Sequence, residues 1–75
     1  MQIEIRGAEK LSYRERQVVV LKEMGHSNAE VAKQLSLNAN TVAALYYRAK
    51  QKGYQVVIIL SGDALNLFSQ EEAND

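Results

Sequence analysis

This chain is expected to be mainly α-helical, with a core of three to four helices and one short β-strand near each end. Three features lead there. Two Ser-x-x-Glu patterns, Ser12 with Glu15 and Ser27 with Glu30, each open a helix-compatible run. In such a pattern the hydroxyl and the carboxylate each satisfy a backbone N–H that the helix leaves free. Glycines stand where the helical runs stop, at Gly25 and Gly53. Outside residues 11–53 the period changes, to the alternation MQIEIR at one end and a β-branched run at the other.

Taken in order, Met1 to Arg6 alternate polar and apolar, with Ile3 and Ile5 on one face of a short strand. Gly7 to Lys10 form a connector. Leu11 is a staple ahead of the Ser12 cap, and the first helix runs to Met24, turning Val18, Leu21 and Met24 toward the core. The Val18-Val19-Val20 run favours strand, but the cap before it and the glycine after it outweigh that preference. The next helix starts after Ser27 and places Val31, Ala32 and Leu35 on one side. In the turn Ser36-Leu37-Asn38, Leu37 plugs inward and Asn38 caps the third helix. That longer helix runs through Thr41, Val42, Tyr46 and Ala49 to Lys52, with Gly53 as a left-handed C-terminal residue. A short helix, a tight turn and a longer helix describe a helix-turn-helix. Tyr54 to Leu60 reads as a strand buried on both faces, because it does not alternate. Asp63 or Ser61 caps a short helical turn over Ala64 to Phe68, before a frayed acidic end. The units are therefore 1–10, a strand and connector; 11–53, the helix-turn-helix; 54–68, a strand and short helix; and 69–75, the tail.

Seventy-five residues make one small domain, near the lower limit at which a single core sustains a fold. A hydrophobic content of 47% is that of a globular chain. There is no cysteine, which removes disulfide and thiolate-metal frameworks. No apolar run approaches the ~20 residues of a membrane helix, and the start lacks a signal-peptide pattern, so a cytoplasmic protein is expected. With one histidine, His26, placed in a turn, and no convergent acid–base set, neither an enzyme nor a metal or cofactor site is expected.

The formal net charge is zero, but the charges are segregated. From Lys10 to Tyr54 there are eight basic residues and three acids, a net +5; from Gln55 onward there are four acids and no base, a net −4. A basic helical body suits phosphates, and an acidic tail faces away from them or modulates the contact.

The two strands need each other or a partner, since an isolated two-stranded ribbon is only marginally stable. Pairing Ile3 and Ile5 with Val56, Val57, Ile58, Ile59 and Leu60 covers part of that apolar surface, and a second copy covers the rest. A homodimer through the terminal strands is expected, with pairing within or between chains left open. The alternative is a monomer whose last strand packs across the first helix.

The stretch from Leu11 to Lys52 resembles a bacterial superfamily of DNA-binding domains, the LuxR/GerE type and the fourth conserved region of sigma factors. The matching residues are Leu11-Ser12 before Arg14-Glu15, then Val20-Leu21, Gly25, Ser27, Glu30-Val31-Ala32, Leu35 and Asn38 through Val42. Arg48-Ala49-Lys50 is closer to the sigma-type ending. Two features depart from the pattern. Ala43, Ala44 and Leu45 stand where relatives often carry polar or basic residues, and a strand stands where a LuxR-type domain places a dimerising helix. The resemblance implies double-stranded DNA as partner, with the second helix of the pair in the major groove. On that geometry Ala39, Asn40, Ala43, Ala44, Tyr47 and Arg48 face the bases. Asn40 suits adenine, Arg48 suits guanine or a phosphate, and the alanines suit thymine methyls. Ser27, Asn38 and Thr41, at helix starts, suit phosphate oxygens, as do Lys33, Lys50 and Lys52, with Arg14 or Arg16 in addition.

Each assignment has a plainer reading. Ser27 and Asn38 are caps, Asn40 a solvated amide, Tyr46 core, and Arg48 an ion-pair partner of Glu30 or Glu23. The competing function is a protein-interaction module that binds RNA polymerase, a sigma factor or another regulator through the same helix pair.

Overall fold

The computed structural model describes residues 2–60. The short helix expected over 64–68 and the tail over 69–75 lie outside the described residues. The order is β1 (Gln2–Arg6), a 3-10 turn (Ala8–Lys10), α1 (Tyr13–Glu23), α2 (Asn28–Leu35), α3 (Ala39–Lys52) and β2 (Gln55–Ile59). Three helices and a terminal antiparallel strand pair form the expected architecture.

Both capping boxes form. The Ser12 N–H donates to Glu15 Oε1 at 2.8 Å, and the Glu15 N–H to Ser12 Oγ at 3.2 Å. At α2 the same pair of bonds joins Ser27 and Glu30 at 2.8 and 3.1 Å. Helix α1 stops as its glycine predicts. Gly25 takes φ +99°, its N–H donates to the Lys22 carbonyl, and the His26 N–H reaches back to the Leu21 carbonyl. Gly53 differs from expectation. Its φ of 87° is positive, but ψ of 134° extends the chain instead of coiling it left-handed. That conformation sends the backbone directly into β2.

The core is two adjoining clusters. Val18, Val31, Ala32 and Val42 join α1, α2 and α3, flanked by Leu21, Leu35, Leu37, Leu45 and Tyr46. Leu11, Val19 and Ala49 form the second, which Ile5, Tyr46 and Tyr54 complete. The valine run is thereby explained: Val18 packs into the first cluster and Val19 into the second, so α1 is buried on two sides. Met24 is not a core residue. It is 58% exposed because the Gly25 reversal leaves it at the rim. There it lines an apolar groove of about 680 Å³ with Val20 and Ile3.

Strands β1 and β2 pair within one chain, antiparallel, with Ile3 opposite Ile58, Glu4 opposite Val57 and Ile5 opposite Val56. Directly opposed residues share a face. Ile3, Ile5, Val56 and Ile58 therefore share the face on which Ile5 enters the second cluster, and Val56 and Ile58 stay exposed on it. Gln2, Glu4, Arg6, Val57 and Ile59 share the other face, on which Val57 is half-buried. The expectation that the last strand is buried on both faces does not hold within the described residues. Val56, Ile58 and Ile59 are 39, 56 and 44% exposed, because a sheet of two strands has no second layer over it.

Candidate nucleic-acid interface

The turn between α2 and α3 is held by backbone and side chain together. Ser36 adopts φ 57°, ψ 46°, the left-handed region, and the Leu37 N–H donates to the Ala32 carbonyl at 2.8 Å. The Asn38 Oδ1 then accepts the Thr41 N–H at 2.7 Å and starts α3. Arg14 Nη1, from α1, reaches the Leu35 carbonyl at 3.5 Å and the Gln17 side chain at 3.1 Å, so a guanidinium sits beside this turn.

The start of α3 differs electrostatically from those of α1 and α2. Helices α1 and α2 each carry a glutamate at the third position, folded back onto the cap. At α2 the Ser27 N–H and hydroxyl hold the Glu30 carboxyl below its ordinary pKa, with a smaller contribution from His26. The positive end of each of those helix dipoles is answered internally. The first turn of α3 holds no acid. Its free N–H groups and the Asn38 amide face outward without a counter-charge, the arrangement that favours an anionic ligand.

Along α3, Ala39, Asn40, Ala43, Ala44, Tyr47 and Arg48 are all exposed and recur at the helical period, forming one continuous face. Val42 and Ala49 point the other way and are fully buried, and Leu45 and Tyr46 are half-buried against the core. The two alanines keep the middle of the exposed face low, so another surface can approach the backbone closely. Tyr47, 64% exposed, and Arg48 rise at its C-terminal side. Arg48 pairs with neither Glu30 nor Glu23 in the structure; its Nε reaches the Ala44 carbonyl at 3.5 Å, one turn back.

The remaining predicted contacts are dispersed. Ser27 and Lys33 are exposed at α2, and Thr41 is half-buried at the start of α3. Lys50 lies over the Tyr46 ring, 4.3 Å from its centre, and Lys22 is 5.4 Å from the same ring. Lys52 is drawn to Glu15 at 2.7 Å. Its ammonium therefore lies at the opposite end of α3 from Asn38, about 20 Å along the axis. The structure brings the Asn38–Arg48 face together and leaves Lys52 outside it.

One group escaped the sequence reading. Glu23 Oε2 accepts the hydroxyls of both Tyr46 and Tyr54, at 3.2 and 3.0 Å, tying the end of α1 to α3 and to the start of β2. Burial, with the neighbouring Tyr46 and Glu23, raises the Tyr54 pKa. These residues are 23 and 31 positions apart, so no local spacing announces them.

A three-helix unit with a capped turn and an outward second helix is a helix-turn-helix, a fold class whose members place that helix in the DNA major groove. The family model for sigma-70, region 4 matches residues 6–52, well over half of the chain, and the chain belongs to that family. The sigma-type ending read at Arg48-Ala49-Lys50 agrees with this. Comparisons with curated proteins and with solved structures returned no match. Among the described residues, no helix is long and apolar enough to cross a membrane.

Proposed function

We propose that this chain is a sequence-specific, DNA-binding regulator of transcription that lays α3 in the major groove and acts as a homodimer. The observation that carries the reading is the α3 face itself. It joins an acid-free helix start to an exposed run of Asn40, Ala43, Ala44, Tyr47 and Arg48. In this reading the α3 start, Asn38 and Arg14 meet phosphates, Asn40 reads adenine, the alanines contact thymine methyls, and Arg48 reaches a guanine or the backbone. Ser27, Lys33 and Lys50 add sequence-independent contacts, and Lys52 contributes least because Glu15 neutralises it. Ile3 and the residues Val56 to Leu60 form the dimer surface, and Ile5 is taken up by the core of its own chain.

Binding to duplex DNA is tested by titration at several salt concentrations. Log affinity falls linearly with log salt, with a slope of about −0.9 per phosphate neutralised. N40A and R48A each weaken specific binding by ~1–3 kcal/mol while leaving the melting temperature unchanged, since both side chains are exposed. Full affinity in both variants removes base reading from α3.

The composition of the same face supports a second reading. Ala43, Ala44 and Tyr47 also make a shallow surface for a protein helix, with RNA polymerase, a sigma factor or another regulator as partner. Absence of DNA binding even at low salt, with retained binding to such a partner, decides for it.

A further inference from the structure

We infer that the outer edge of β2 binds the same edge of a second copy, in an antiparallel pairing centred on Val57 that joins two ribbons into one four-stranded sheet. The inference rests on the two-copy reading above and specifies its geometry.

Each strand of a two-stranded sheet keeps one edge unpaired, and among the described residues both edges are open. The edges differ in kind. β1 carries Glu4 and Arg6, whereas β2 reads Gln55-Val56-Val57-Ile58-Ile59, with no charge and no proline. Charged side chains and prolines are what keep an edge from pairing. β1 has the first and β2 has neither. Three of the four apolar side chains of β2, Val56, Ile58 and Ile59, are also exposed, Ile58 by more than half, and Val57 between them is half-buried.

Symmetry then chooses among the possible pairings. Joining β1 of one copy to β2 of the next leaves a fresh edge at each end and builds an open-ended sheet. Joining β1 to β1 about its midpoint sets the two Glu4 carboxylates directly opposite each other, which is repulsive. Joining β2 to β2 about Val57 sets Val57 against its own copy and Val56 against Ile58 of the second copy. It closes after two chains and opposes no like charges. The two-fold axis of such a pairing stands perpendicular to the sheet, so both helical bodies stay on one side of it. Val56 and Ile58, which already face that side, then lie between the two bodies.

The test is sedimentation equilibrium on the full chain and on two variants. Val57 lies opposite Glu4, so the ammonium of V57K has a carboxylate partner within its own chain and the ribbon survives, as circular dichroism checks. In the dimer the two introduced ammonium groups face each other. Wild type is expected as a dimer, V57K as a dimer weakened roughly tenfold or more, and E4K, altered on the other strand, as a dimer of wild-type strength. V57K of wild-type strength overturns the edge pairing and leaves the two-copy reading standing. A wild type that stays monomeric overturns the two-copy reading and the pairing with it. A ladder of larger oligomers indicates the β1-to-β2 mode and overturns the closed dimer. Amide exchange on the wild type gives a readout free of any variant. Additional β2 amides gain protection as concentration rises while those of β1 do not, and protection independent of concentration overturns the proposal.

Discussion

Ser36 is the one described non-glycine residue with positive φ, and it stands at the turn that aims α3. A left-handed conformation costs a β-carbon-bearing residue about 1–2 kcal/mol, part of which glycine returns as unfolded-chain entropy. S36G is therefore expected to stabilise the domain by about 0.5–1 kcal/mol, measured by urea denaturation. Glu15 makes a pH-dependent contribution. The Lys52 ammonium and the Ser12 N–H hold its carboxyl below the ordinary 4.5. A carboxyl whose pKa is lower in the folded state adds stability above its unfolded value and loses it as pH falls through the folded one. Glu30 acts in the same sense through Ser27. Thermal melts should show stability declining as pH falls below about 5. E15Q should melt lower than wild type at neutral pH and decline less steeply in acid. Equal acid limbs in the two proteins would show that Glu15 does not set them.

At the scale of elements, the helices are assembled on small side chains. Val18, Val19, Val31 and Val42 are the largest fully buried ones, so each methyl group matters in a core this thin. V42A is expected to cost about 2 kcal/mol or more, since it empties the junction of all three helices. V19A should cost a similar amount through the second cluster. Comparable losses in the two would confirm that α1 is anchored on both sides, and a negligible loss in V19A would detach the ribbon from the core. The tyrosine pair on Glu23 acts between elements. Y54F removes one of two hydroxyls from a charged acceptor and is expected to cost about 1 kcal/mol. Calorimetry checks it.

For the whole molecule, the proposed function makes the ribbon the element that presents two α3 helices at fixed separation. Selection of bound sequences from a random duplex pool should return a palindrome, with half-sites spaced by the distance between the two α3 helices. V57K applied to the same pool should return single half-sites. Half-sites in wild type as well would mean that one copy is the binding unit. The charge layout fits this picture: eight of the nine basic residues lie from Lys10 to Lys52, Arg6 alone is on the ribbon, and the four acids after Gln55 all come after it.

Local physics was legible in the residues alone. Both capping boxes, the Asn38 cap, the Gly25 reversal and the exposed α3 face arise from contacts a few positions apart or from a simple period, and the partnership of the terminal strands follows from two short apolar strands that each lack another neighbour. The antiparallel pairing of residues at opposite ends of the chain left one question open, within or between copies, and the fold answers it in favour of a single chain. What could not be read this way depends on contacts between distant segments. Met24 looks like a core position by spacing, yet the backbone turns before its side chain reaches the core. Val56, Ile58 and Ile59 look buried because they are apolar, yet burial needs a second layer that one copy does not provide. Glu23 with two tyrosines, and Lys52 drawn away from α3's exposed face by Glu15, arise where helices cross. A sequence pattern reports which side of an element is apolar. What that side meets is set by how three helices and a ribbon pack.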